Sequence, residues 1–119
     1  MTRGQIKTLD KLWSEAVRTR DAKCLRCGKV SGLQGAHIFS RTSRATRWDL
    51  ENGVSLDYAC HLHWAHKNPV LFTRWLENLM GKAWLNKLQS KNNQVVKNQN
   101  YETIKKGLEE AIRGFEKGV

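Results

Sequence analysis

The sequence predicts an α+β fold, mostly helical, in a small domain with a structural metal site. Three observations lead to this reading. Apolar residues recur at helical spacing near both ends of the chain. Between them, residues 23–56 are rich in turn signals and short apolar stretches. Cysteines and histidines gather around that central stretch at metal-ligand spacings. A chain of 119 residues buries a limited core, and domains of this size commonly draw on a metal, an oligomer or close helix packing for stability.

Residues 5–20 predict an amphipathic helix, since Ile6, Leu9, Leu12, Trp13, Ala16 and Val17 follow a period near 3.6. The run Cys24-Leu25-Arg26-Cys27-Gly28 is a tight turn and Ser31-Gly32 marks another. Val30, Leu33 and the stretch from Ala36 to Phe39 predict two small strands. Residues 40–49 are polar and basic, as in an exposed loop. Asn52-Gly53 is a turn signal, after which Val54 and Leu56 begin a short strand or extended segment. A helix is expected from Asp57 or Tyr58. Asn68 and Pro69 fit the N-cap and first position of the next helix, whose apolar face carries Val70, Leu71, Trp75, Leu76 and Leu79. Gly81 interrupts it, and residues 82–90 resume a helical pattern. The Asn/Gln/Lys-rich residues 91–100 read as a linker, and 101–117 as a last amphipathic helix through Tyr101, Ile104, Leu108, Ile112 and Phe115. The expected organisation is therefore a domain over 1–90, with 91–119 as linker and C-terminal helix.

Charge narrows the partners. The chain carries 21 Lys+Arg against 11 Asp+Glu, a net +10. Residues 1–48 hold 11 basic and 3 acidic side chains, and 49–119 hold 10 and 8. The excess is thus concentrated in the first part, which suggests a polyanionic partner. No apolar run exceeds three residues, so neither a membrane span nor a signal peptide is expected. Three Cys cannot all pair internally, and their spacing points to metal in a reducing, cytoplasmic compartment.

Cys24-x2-Cys27 is half of a structural zinc site. The other half must come from Asp57, Cys60, His61, His63 or His66. Cys60 is the expected third ligand. Either Asp57 or His63 stands at the right spacing from it to be the fourth, and zinc accepts both donor types.

The order Cys-x2-Cys, His37, Asn52, then an x2-Cys60-His61 element resembles the zinc-bearing HNH endonucleases. The matching stretch is CLRCGKVSGLQGAHIFSRTSRATRWDLENGVSLDYACHLHWAHKN, residues 24–68. The flanks look like small phage and bacterial members, some of which are recombination nucleases acting on branched DNA. The resemblance implies a ββα-metal core, in which a hairpin, a loop and a helix surround a metal. It places Cys24 and Cys27 as the first zinc pair, Asp57 and Cys60 as the second, and His37, Asn52 and His61 as catalytic residues. Two positions depart from the pattern: Ala36 stands where many members have Asp, and Asp57 stands where the family has Cys.

The activity so implied is metal-dependent hydrolysis of DNA phosphodiesters. Neutral His37 would take a proton from the attacking water. Mg²⁺ or Mn²⁺, bound partly by His61, would stabilise the leaving oxygen. Asn52 would pin the loop that carries His37 or offer its amide oxygen to the ion. Arg41, Arg44 and Arg47, every third residue beside that centre, are candidates for gripping the DNA backbone. Cutting both strands with one site per chain would favour a homodimer. The competing expectation is a degenerate zinc module that binds DNA, branched DNA included, without cutting. A redox role for Cys24-x2-Cys27 is disfavoured, because no βαβ pattern surrounds the pair.

Overall fold

The computed structural model describes residues 1–118. The chain is an α+β domain of four α-helices and one antiparallel hairpin. Helix α1 spans Arg3–Asp21 and starts two residues earlier than the apolar periodicity. The cause is a capping box: Thr2 Oγ1 accepts from the Gln5 amide at 3.1 Å, and Gln5 Oε1 accepts from the Thr2 amide at 2.9 Å.

The two strands are β1, Leu33–His37, and β2, Gly53–Asp57, paired from Leu33 opposite Asp57 to His37 opposite Gly53. This corrects the expectation of two strands before residue 40. Gly28 and Gly32, with φ of 82° and 64°, turn the chain twice around Val30, which is left exposed. Only Leu33–His37 remains extended, and its partner lies beyond the loop 38–52. After β2 the chain winds into a π-helix, Ala59–Ala65, where a helix was expected. Helix α2 follows at Pro69–Met80. Asn68 precedes it, but its side chain turns back to donate to the Trp64 carbonyl instead of capping α2. Gly81, at φ 92°, separates α2 from α3, Lys82–Asn92. Helix α4, Tyr101–Glu116, is capped by Asn100, whose side chain accepts from the Thr103 amide at 3.1 Å.

The hairpin separates two apolar clusters. Ala36, Val54 and Leu56 join Cys24, Cys60, Ala65, Phe72 and Leu76 on one side. On the other, Leu9, Trp13 and Val17 of α1 pack with Trp48 and with Leu108 of α4. The N- and C-terminal helices therefore share a core. Strand alternation explains the split, because Gly35, His37, Gly53 and Ser55 share the face opposite Ala36, Val54 and Leu56. The indole of Trp13 lies against that glycine face: a Cβ on Gly53 would fall 2.3 Å from Trp13 Cζ2. No helix among the described residues is long and apolar enough to cross a membrane.

Candidate metal centre and histidine cleft

Two separate sites emerge from the central segment. The first is a cluster of Cys24, Cys27, Asp57 and Cys60, whose ligand atoms all lie within 4.8 Å of one another. A tetrahedral zinc with Zn–S near 2.3 Å needs sulfurs about 3.8 Å apart, which this spacing accommodates. The first pair is set by a tight knuckle. Gly28 N donates to the Cys24 carbonyl at 2.8 Å, and Cys27 N points at Cys24 Sγ at 3.5 Å. The Leu25 amide ties the knuckle to β2 through the Ser55 carbonyl at 3.0 Å. The second pair spans the end of β2 and the start of the π-helix. There Asp57 Oδ1 accepts from the Cys60 amide at 3.0 Å.

The chemistry of the donor set fits a metal such as zinc. Cys24, Asp57 and Cys60 are buried, and no disulfide links them. Burial, followed by the neighbouring Asp57 carboxylate, pushes the Cys60 thiol up to about 12. A bound cation reverses that balance, because a coordinating thiol is deprotonated outright. Arg26 stands ready for the resulting negative charge: its Nη1 lies 3.4 Å from Cys60 Sγ, and its guanidinium stacks 3.9 Å from the Trp64 ring centroid. Of the two candidates for fourth ligand, Asp57 lies in the cluster. His63 is exposed, stands edge-on to Tyr58 and lies outside the four-residue group.

The second site is an open cleft of about 700 Å³ lined by α1 (Asp10, Trp13, Ser14), β1 and its sequel (His37, Arg41) and the histidines His61 and His66. His37 Nε2 is 2.9 Å from the Arg47 carbonyl. A carbonyl only accepts, so Nε2 carries the proton and Nδ1 keeps its lone pair. Burial, the largest influence, lowers the His37 pKa and keeps the ring neutral at physiological pH. His61 Nδ1 lies 2.8 Å from Gln34 Oε1, which fixes the proton on Nδ1 and leaves Nε2 free. Burial first, then the nearby His66 and His37, bring its pKa down to about 4.

The π-helix explains why His66 belongs here. His66 N bonds to the His61 carbonyl, five residues back, at 3.1 Å. That wider winding brings residues i and i+5 onto one side. The two rings meet edge-to-face with centroids 4.5 Å apart. Sequence spacing offered His66 only as a possible zinc ligand, since an α-helix would have turned it away from His61. Asp10, Trp13 and Gln34 gave no signal of their own.

The remaining sequence candidates divide. Asn52 is wholly buried, and its amide staples the loop: Oδ1 accepts from Phe39 N at 2.7 Å, while Nδ2 donates to the Phe39 and Thr46 carbonyls at 3.0 Å each. The amide thereby ties residues 39 and 46 to the residue before β2. Asn52→Ala leaves the Phe39 amide and carbonyl without partners, while the Thr46 carbonyl keeps the Asp49 amide, and is expected to lower stability by about 2 kcal/mol or more, as read by urea unfolding. Arg41 is exposed at the cleft. Arg44 is exposed near Trp48, in a different depression. Arg47 is engaged, with Nε and Nη2 on the two oxygens of Asp10 at 3.0 and 2.8 Å. Arg44 and Arg47 both lie near the Trp48 ring, and Arg47 Nη1 also donates to the Arg41 carbonyl at 3.2 Å.

These features define a small α+β domain with a Cys3Asp cluster that could hold a metal such as zinc, beside a histidine-lined cleft. No family model, curated protein or solved structure matches the chain.

Proposed function

We propose that the chain is an HNH-type, metal-dependent endonuclease that hydrolyses DNA phosphodiester bonds at the histidine cleft. The observation that carries the reading is the pair of fixed tautomers. His37 and His61 each give a ring proton to an oxygen acceptor, and each keeps the other nitrogen as a lone pair. A general base and a metal ligand need that state. The order of elements also supports it: a knuckle, β1, a stapled loop, β2, then a helical segment carrying Cys60 and His61.

His37 Nδ1 takes the proton of the attacking water, and the Arg47 carbonyl holds the imidazolium that results. Arg41 holds the phosphate from the rim of the cleft. Asn52 keeps residues 39–46 in the shape that presents both groups. The side chains of His61 and His66 would hold a divalent ion, which would stabilise charge on the leaving oxygen when bound. The Cys3Asp cluster holds zinc and joins the knuckle to the π-helix, with no chemical step of its own.

The donor set sharpens the cofactor. Asp10 is the acidic residue among the described lining of the cleft, and it is engaged by Arg47 and Trp48. Two imidazoles without a free carboxylate suit Mn²⁺ better than Mg²⁺, which prefers oxygen donors. Supercoiled plasmid incubated with zinc-loaded protein should therefore be nicked faster in Mn²⁺ than in Mg²⁺, and not in EDTA. Absence of nicking with every divalent ion, on plasmid and on branched DNA alike, would overturn the reading.

The alternative is a zinc module that binds DNA without cutting. The observation favouring it is Ala36, which is buried against Val54 and Leu56 and supplies no ligand to the cleft.

A further inference from the structure

We propose that α1, outside the hairpin–loop–helix segment, is part of the reaction apparatus: Trp13 and Asp10, three residues apart on one face, are positioning residues that fix the plane and the tautomer of His37. The inference rests on the reading of the cleft as a hydrolytic site. Its geometric content can be tested without cleavage.

Two separate constraints act on the imidazole, and each comes from one of these residues. Trp13 sets the plane. Its indole lies 3.7 Å from the His37 ring centroid to centroid, at an interplanar angle of 6°. The indole cannot slide away. Its Nε1 donates to the Asp49 carbonyl at 2.8 Å, and it fills the space that a side chain on Gly35 or Gly53 would need. A Cβ on Gly35 would stand 2.9 Å from Trp13 Cζ3. The absence of side chains at Gly35 and Gly53, on one face of the hairpin, is what lets an aromatic from α1 reach His37.

A stacked plane still allows the ring to turn over, exchanging each nitrogen with a ring carbon. The Arg47 carbonyl removes that freedom by accepting from Nε2. Asp10 in turn holds that carbonyl in place. It receives both arms of the Arg47 side chain, and its Oδ1 also accepts from Trp48 Nε1 at 2.9 Å. Two consecutive loop residues are thereby tied to one carboxylate on α1. Bidentate charged hydrogen bonds of this kind fix direction as well as distance. Arg47, a candidate for phosphate contact by sequence spacing, acts in this arrangement through its main chain.

A role confined to stability would alter melting but leave the His37 tautomer unchanged. The test uses zinc-loaded protein labelled with ¹⁵N at histidine, at about pH 8, where imidazoles are neutral. The variants are Asp10→Asn and Arg47→Lys. Each keeps approximate size but breaks the two-armed pairing, and Arg47→Lys preserves net charge. In the unmodified protein the His37 ring nitrogens should show a single tautomer protonated at Nε2. In both variants a mixture of tautomers should appear. For cleavage, kcat should fall about 10- to 100-fold with KM for DNA unchanged, the loss expected from a misoriented group.

A wild-type His37 protonated at Nδ1 would overturn the proposal. So would folded variants with wild-type ring shifts, even if they melt earlier. If the tautomer shifts as expected but the wild type cuts no DNA, the positioning stands and the nuclease reading fails. Should Asp10→Asn not fold, Arg47→Lys alone decides between these outcomes.

Discussion

His37→Ala is expected to lower plasmid cleavage by about 10²- to 10⁴-fold, with zinc content, folding and DNA affinity retained. The size of the effect follows from the role. In the proposed mechanism, no positioned base accepts the proton of the attacking water once Nδ1 is gone. The mildness toward folding follows from the location: His37 lies at the end of β1 and is partly exposed at the cleft. The pH profile of the unmodified protein tests the same assignment. The base works in its neutral form, and burial holds the His37 pKa below the ordinary 6.5. Activity governed by His37 should therefore stay level from neutral pH downward and fall only below 6.5. A fully active His37→Ala protein would remove the general-base assignment. A profile falling already above 7 would show that another group controls the rate.

Stripping the metal from the Cys3Asp cluster should have the largest effect on stability. Structural zinc sites bind with apparent energies of about 10 kcal/mol or more, comparable to the whole stability of a domain. In this chain the four candidate ligands come from the knuckle, the end of β2 and the π-helix. Without the ion, the buried Asp57 carboxylate has the Cys60 amide and neighbouring thiols as partners and no cation to balance its charge. Loss of the metal should thus loosen the π-helix and carry His61 and His66 out of the cleft. Cys24→Ser and chelation should both release one zinc per chain and lower the melting temperature steeply, as followed by circular dichroism and metal analysis. Asp57→Cys should bind zinc more tightly, since thiolate is the softer donor. A metal-free protein with an unchanged melting curve would exclude a structural metal.

Much of the architecture was legible because it is encoded locally. Helical periodicity located α1, α2, α3 and α4, with Gly81 correctly dividing α2 from α3. The Cys24-x2-Cys27 knuckle could be read from spacing and a following glycine. The strand pairing was less legible, because β1 pairs with a segment beyond the loop 38–52 and short apolar runs do not announce distant partners. Spacing also left Asp57 and His63 as equal candidates, since each stands three residues from Cys60. Only the fold separates them, by burying Asp57 and leaving His63 exposed.

By itself, then, the sequence determined the helices, the knuckle, the basic bias and the metal-ligand types, all of which depend on neighbours within a few residues. The tertiary structure alone decided which groups meet. It winds the segment after β2 as a π-helix, so that His61 and His66 share a face. It removes Arg47 from the free cations by giving it to Asp10, and it lays Trp13 across two glycines onto His37. The Asp10–Arg47 contact joins residues 37 positions apart in the chain. The physical basis of such contacts is packing and desolvation between separate elements, for which local spacing carries no signal.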